Sequence, residues 1–110
     1  MRRKAAMIRE TETALYVSTF RAKTGYERML LVELQRLVTN TRREAECLFC
    51  DLYRLSVDPA VFSIHSVWSS QDNWLSCGGW KNHPAGMRLL EQCLSAPIDI
   101  VTMEEVLEAA

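Results

Sequence analysis

Two tryptophans and one histidine are the residues of this chain whose types and spacing best suit chemistry. Trp68 ends an apolar segment, Trp74 follows six positions later, and His83 precedes a proline. An indole N–H can hydrogen-bond a ligand inside an apolar pocket, and an imidazole exchanges protons near neutral pH. We therefore expect any chemistry to lie between the strand that Trp68 ends and the helix that contains Trp74.

Each of these residues also has a structural interpretation. Trp68 could close the hydrophobic core, and Trp74 and Trp80 could anchor that core instead of bordering a pocket. His83 could cap a helical turn instead of presenting its imidazole to a pocket. The residue types alone leave both interpretations open.

Composition limits the class of protein. The chain has 110 residues, of which 48% are hydrophobic and 25% charged, with a formal net charge of -1. These values predict one soluble globular domain at residues 14–110, preceded by a flexible arm at residues 1–13. Nothing indicates binding to nucleic acid, and no apolar run reaches the roughly 18 residues of a membrane span. We expect a cytoplasmic protein.

The four cysteines include a C-x-x-C pair at Cys47 and Cys50, with Cys77 and Cys93 apart from it. Such a pair can bind metal or perform redox chemistry. Here both residues fall within a predicted strand, where side chains three positions apart point to opposite faces. We therefore expect buried free thiols and no metal site.

Periodicity predicts six main elements. The expected strands span residues 14–22, 47–55, 61–68 and 97–106, and the expected helices span about 24–43 and 84–94, with a short helix at 71–77. Thr24 and Glu27 have the spacing of a capping box. Asp58 and Pro59 are typical of a turn, which makes the middle strands a hairpin. Asp51, among apolar neighbours, should pair with Arg21 or Arg54.

This order predicts a ferredoxin-like α+β fold, β-α-β-β-α-β, with one four-stranded antiparallel sheet and both helices on one face. Trp68 should share the helix-facing side with Phe62, Ile64 and Ser66, whereas His65 should point the other way. Because that other face also bears apolar residues, we expect a second copy of the chain to cover it. The expected partner is therefore the chain itself, as a homodimer.

Several segments resemble the antibiotic biosynthesis monooxygenase family of the dimeric α+β barrel superfamily. Residues 16–25 look like its first strand and the glycine at the start of its helix. Residues 44–54 are similar to its E-P-G-C-x-x-Y-D-L-Y-R strand, and residues 62–68 to its F-x-x-x-E-x-W strand. Residues 82–84 fall near its P-H pair. The resemblance implies a dimeric barrel with a pocket between sheet and helices.

The resemblance also implies an activity. Enzymes of this family include oxygenases that convert phenols or hydroquinones to quinones with O2 and without flavin or metal. Quinone-forming members place a tryptophan and a second aromatic residue at the spacing of Trp68 and Trp74, with an asparagine where this chain has Ile64. The usual glutamate is Ser66 here, and the usual helix histidine is Cys77.

A heme-degrading branch shares the fold, but its strand-one asparagine is missing, and its helix tryptophan and histidine fall at Cys77 and Met87. Heme binding is therefore the least favoured hypothesis. The leading hypothesis is a cofactor-independent monooxygenase acting on a phenolic or hydroquinone-type aromatic. The alternative is a non-catalytic small-ligand-binding or stress-response module on the same dimeric fold.

The candidate site residues follow from these observations. The catalytic candidates are Trp68, Trp74 and His83. The candidates for binding a small aromatic ligand are Phe49, Tyr53, Ile64, Ser66 and Met87. No metal or other cofactor is expected, since the chain has no glycine-rich dinucleotide fingerprint and no phosphate loop.

Overall fold

The computed structural model describes residues 13–70 and 84–103. In chain order these residues form β1 (Ala14–Arg21), α1 (Glu27–Thr41), β2 (Cys47–Arg54), β3 (Val61–Trp68), α2 (Pro84–Cys93) and β4 (Asp99–Met103). The predicted β-α-β-β-α-β order is confirmed. Several predicted features lie outside the described residues: the arm before Thr13, the helix at 71–77 with Trp74 and Cys77, Trp80, His83, and the chain after Met103.

The four strands form one sheet in the order β2-β3-β1-β4, and every neighbouring pair is antiparallel. The central pair is the longest, since β1 and β3 stay in register from Ala14 opposite Trp68 to Arg21 opposite Val61. β4 is an edge strand that begins at Asp99, two residues later than predicted, and residues 104–106 of the predicted span lie outside the described residues. The central strands β1 and β3 therefore contribute side chains to the middle of both faces of the sheet.

Both helices pack on one face of this sheet. Apolar residues of α1 recur at helical spacing and point to the sheet, and the core they share with the strands and α2 includes Leu30, Leu34, Leu37, Val38, Phe20, Phe62, Ile64, Leu90 and Cys93. Each fully buried leucine of this kind stabilises the fold by about 1.5–3 kcal/mol. Neither described helix is long and apolar enough to cross a membrane.

The turn between β2 and β3 forms as its residues predict. The Asp58 carboxylate accepts a hydrogen bond of 3.1 Å from the backbone N–H of Ala60, and the backbone N–H of Leu55 donates to the carbonyl of Val61 at 2.9 Å. Asp58 thus holds the turn through its own local backbone. Arg21 of the neighbouring strand also reaches the Asp58 carboxylate, at 3.5 Å.

The predicted capping box is wrong. The N-cap of α1 is Tyr26, and no side chain caps the helix. The Glu27 carboxylate instead accepts a hydrogen bond of 3.0 Å from the backbone N–H of Gly25. Gly25 has a φ of +89°, in the region that favours glycine. Because Gly25 adopts this left-handed conformation where the chain enters the helix, the Gly25 amide reaches the Glu27 carboxylate in place of the Thr24 amide.

Replacing Gly25 by alanine should destabilise the protein by about 1–2 kcal/mol, because an L-residue is strained at this φ. A Cβ here would meet no atom within 4 Å, so the loss would be conformational and not steric. Gly25→Asn is the matched control, since asparagine tolerates left-handed φ better and should lose less stability. Urea unfolding measures both, and equal losses would contradict a conformational origin.

Candidate functional site

The helix-facing side of the sheet around Trp68 is the candidate site. Trp68 is 2% exposed and packs with Ala14, Tyr16 and Cys47 in a small apolar cluster, separate from the main core. Trp68 ends β3 and shares its buried side with Phe62, Ile64 and Ser66, as strand alternation predicts. The sheet therefore places the indole on its helix-facing side, in contact with residues of β1 and β2.

Small polar side chains separate this cluster from the main core. Ser18 in β1 and Ser66 in β3 are both fully buried on the helix-facing side. The register places Tyr16 and Cys50 on either side of Ser66, one on each neighbouring strand. The hydroxyl groups of Ser18 and Ser66 thus lie between the two apolar clusters, and Cys50 belongs to the main core beside them.

Two buried polar atoms in this region have no hydrogen-bond partner within the described chain: Nε1 of Trp68 and Oγ of Ser66. Leaving such a group unpaired inside a protein costs about 1–3 kcal/mol. Native proteins keep few of them, and most have a functional or solvent explanation. Their position two residues apart on one side of β3 makes this part of the helix-facing side the strongest candidate for contact with a polar ligand.

The predicted ligand-binding residues divide between the two faces of the sheet. Ile64 and Ser66 lie on the helix-facing side, and Met87 of α2 packs against the main core. Phe49 and Tyr53 lie on the opposite face, opposite Val67 and Ser63 of β3, and are 43% and 46% exposed. The structure therefore does not bring Phe49 and Tyr53 to the space beside Trp68.

The opposite face has its own polar contacts. The rings of Tyr53 and His65 lie 4.6 Å apart between centroids, at 51°. Asp51 is the cross-strand neighbour of His65, and its carboxylate pairs with Arg42 at 2.7 Å. The expected partners, Arg21 and Arg54, were wrong. No local pattern pointed to Arg42, which reaches β2 from the end of α1 and also donates to the Cys50 carbonyl at 2.8 Å.

The expected orientation of the C-x-x-C pair was also wrong. A register shift between Cys47 and Phe49 places Cys47 opposite Trp68 and Cys50 opposite Ser66, so both cysteines belong to the helix-facing side. Both are free thiols, as is Cys93. Within residues 13–70 and 84–103, no three histidine, cysteine or acidic residues cluster as metal ligands.

Burial keeps these thiols protonated. Desolvation raises the pKa of Cys50 to about 12. Desolvation also raises the pKa of Cys47. The Cys47 thiol donates a hydrogen bond of 3.4 Å to the Phe49 carbonyl. Since the thiolate is the nucleophile, both thiols should react slowly at neutral pH. The two β2 side chains next to Trp68 and Ser66, Cys47 and Cys50, are therefore uncharged thiols.

Iodoacetamide should therefore label Cys47 before Cys50 in the folded protein. At pH 8 a thiol with a pKa of about 12 is ionised in only about one molecule in ten thousand. Its labelling rate should keep rising with pH up to that pKa, because a raised pKa delays deprotonation. Tandem mass spectrometry of the peptide containing both cysteines measures the order. Guanidinium-unfolded protein is the control and should lose the difference, and faster labelling of Cys50 in the folded state would contradict its burial.

Comparison with known proteins supports the fold. No protein-family model matches the sequence, and no curated protein matches it significantly. Solved structures do match: a conserved protein from Methanosarcina mazei is 14% identical with a TM-score of 0.79, covering 91% of this chain and 99% of that one. A protein from Pseudomonas aeruginosa is 25% identical with a TM-score of 0.74, covering 89% and 98%.

A solved antibiotic biosynthesis monooxygenase matches as well, at 20% identity and a TM-score of 0.77, covering 86% of this chain and 99% of that one. Identities this low establish likeness of fold. The likeness agrees with the strand order, the two helices on one face and the sequence segments that resemble this family. In fold, the chain is therefore similar to solved structures named antibiotic biosynthesis monooxygenase.

Proposed function

We propose that this protein is a cofactor-independent monooxygenase that oxidises a phenolic or hydroquinone-type aromatic with O2. The reaction takes place between the sheet and the helices, beside Trp68. The observation that supports this most directly is the buried Trp68 indole, whose N–H has no partner within the described chain. A donor held in an apolar layer is suited to the oxygen of an aromatic ligand.

The chemistry needs little from the protein. Triplet O2 reacts slowly with closed-shell molecules, but an electron-rich phenolate can pass it one electron, and the two radicals then combine. A phenol and O2 give a quinone and water, so no external reductant is consumed. The protein supplies an apolar cavity and donors that stabilise the anion. Tyr16 and Ala14 provide apolar surface next to Trp68, and the Trp68 N–H provides a donor.

Proton transfer requires a further group. Asp51 and His65 lie on the face opposite Trp68, and the Cys47 thiol that packs with Trp68 has a raised pKa, which keeps it protonated. His83 is proposed for this role because an imidazole exchanges protons near neutral pH, and Trp74 is proposed to complete the pocket wall. Both lie outside the described residues.

A non-catalytic ligand-binding module is the second candidate. It is favoured by one observation: Asp51 and His65, the acid–base side chains of the two middle strands, lie on the face opposite Trp68. A pocket without a proton acceptor would bind an aromatic ligand and leave it unchanged. Oxygen consumption therefore separates the two candidates.

We also propose that the opposite face of the sheet is covered by a second copy of the chain. Apolar side chains dominate it and remain partly exposed: Leu15, Val17, Val67, Phe49, Tyr53, Val101 and Met103. In a two-fold dimer this surface meets itself, so a net charge on it would be repelled. The ion pair of Asp51 with Arg42 neutralises the carboxylate on the outer strand β2, which favours contact of this face with its own copy.

The oxygenase proposal predicts O2 uptake with hydroquinones in metal-free buffer, above the rate of spontaneous oxidation. Trp68→Phe keeps an aromatic ring and removes the N–H, and should lower kcat/KM by about 100-fold, the usual effect of losing one such donor. An oxygen electrode measures the rates. Tyr26→Phe, which removes a polar group from a residue that is 40% exposed, is the control and should leave them unchanged.

Two outcomes would contradict the oxygenase proposal. Aromatic ligands that bind without any O2 uptake would support the binding module instead. Uptake that is equal in the wild type and in Trp68→Phe would remove the role assigned to the indole. Circular dichroism of each variant confirms that the fold is retained.

The dimer proposal predicts that Val17→Lys yields a monomer. Val17 lies in central strand β1, between His65 of β3 and Val101 of β4, and two facing lysines would be desolvated against each other. Sedimentation equilibrium should show weakening of at least about 100-fold. Val57→Lys is the control, since Val57 is 86% exposed in the turn and should leave the dimer intact. A monomeric wild type at micromolar concentration would refute the proposal.

A further inference from the structure

The β-bulge in β2 brings two cysteines to the same side of the sheet. In a regular strand, side chains three positions apart point to opposite faces, and their Cα atoms are roughly 10 Å apart. Here Cys47 pairs with Trp68 and Cys50 with Ser66, and Leu48 is the extra residue of the bulge. Because Trp68 and Ser66 lie two residues apart in β3, the two cysteines face the same way.

The spacing that results is compatible with a disulfide bond. Positions two residues apart in a strand, such as Trp68 and Ser66, have Cα atoms roughly 6.5 Å apart. Cys47 and Cys50 follow these two partners across the ladder, so their Cα atoms are separated by about the same distance. Disulfide-bonded cysteines usually have Cα atoms about 4.4–6.8 Å apart. The bulge thus converts a spacing that forbids a disulfide into one that permits it.

The two thiols also interact with each other. Burial is the main cause that raises the pKa of both, but a hydrogen bond between them lowers the pKa of Cys47 and raises that of Cys50. These opposite effects make the Cys50 S–H the donor and the Cys47 sulfur the acceptor. Cys47 is half-buried, whereas Cys50 is 2% exposed. A small oxidant in solution therefore reaches Cys47 first, with Cys50 held beside it.

We propose that Cys47 and Cys50 form a redox-active dithiol that hydroperoxides oxidise to an intramolecular disulfide. The Cys47 thiolate first attacks a peroxide oxygen, so that an S–O bond forms, the O–O bond breaks and a sulfenic acid results. The Cys50 sulfur then attacks the Cys47 sulfur, and the hydroxide that leaves takes the Cys50 proton to become water. With H2O2, the two thiols lose two electrons and two protons, and the peroxide becomes two molecules of water.

The disulfide would alter the helix-facing side of the sheet. Cys47 packs with Trp68 in the small cluster, and Cys50 belongs to the main core. An S–S bond would therefore link the two clusters and remove the thiol donor between them. This inference is independent of the proposed function, because it depends on the pairing of β2 with β3 and on no ligand beside Trp68.

The test treats the folded, full-length protein with H2O2 at mildly alkaline pH, where more of the Cys47 thiol is ionised. Alkylation and peptide mass spectrometry then locate the products. The Cys47–Cys50 disulfide should exceed every other cysteine pair by at least about tenfold, because the fold holds these two thiols together. Dithiothreitol should reverse it. Cys93→Ser is the matched control, since it removes another buried thiol and should leave the disulfide yield unchanged.

Two variants test the order of the steps. Cys50→Ser removes the resolving thiol, so the Cys47 sulfenic acid should persist and its adduct with dimedone should rise about tenfold. In Cys47→Ser, the buried Cys50 should stay reduced. A dimedone adduct on Cys50 in that variant would overturn the assigned order. If either variant fails to fold by circular dichroism, the wild type and Cys93→Ser still decide the inference.

Three results with the wild type would overturn the proposal. One is oxidation of Cys47 to a sulfinic acid while Cys50 remains open to alkylation after unfolding. Another is a disulfide that involves Cys77 or Cys93 as the main product. The third is a pair of thiols that stay reduced in the folded protein but oxidise once guanidinium unfolds it, which would show that peroxide does not reach Cys47.

Discussion

The antiparallel pairing of β1 with β3 is the constraint on which the rest of the structure depends. Its register sets Ala14 opposite Trp68 and Tyr16 opposite Ser66, and it does so at the centre of the sheet, with β2 and β4 on either side. Strand side chains alternate with a period of two, so a slip of one residue would send Trp68 and Ser66 to the other face. The same pairing therefore fixes the core and the candidate site together.

Stability and function are opposed at this site. A domain of ordinary stability unfolds with about 5–15 kcal/mol, and each unpartnered buried polar group can remove about 1–3 kcal/mol of that. Trp68 and Ser66 both have such a group. Both lie next to apolar clusters, where a hydrophobic side chain would pack without this cost. Polar groups kept in such a place fit a site whose ligand completes the hydrogen bonding, which is the basis of the proposed function.

The two faces of the sheet have separate proposed roles, although alternate residues of the same strands build them. Ile64, Ser66 and Trp68 face the helices, while His65 and Val67 belong to the open face. A change on one face can thus alter association while the binding space keeps its lining. Arg42 links the two, because it reaches from the end of α1 to both the Asp51 carboxylate and the Cys50 carbonyl.

The sequence alone determined the order of the elements, the turn at Asp58 and the shared side of Trp68 and Ser66. These features depend on periodicity and on contacts between near neighbours, which a sequence displays directly. The tertiary structure decided the rest. The register shift after Cys47 brought both cysteines to one side, and Phe49 and Tyr53 fell on the open face. The partner of Asp51 proved to be Arg42, and Gly25 took over from Thr24 at the helix start. The register shift and the Arg42–Asp51 pair depend on how separate segments of the chain pack together. A local sequence pattern does not contain that information.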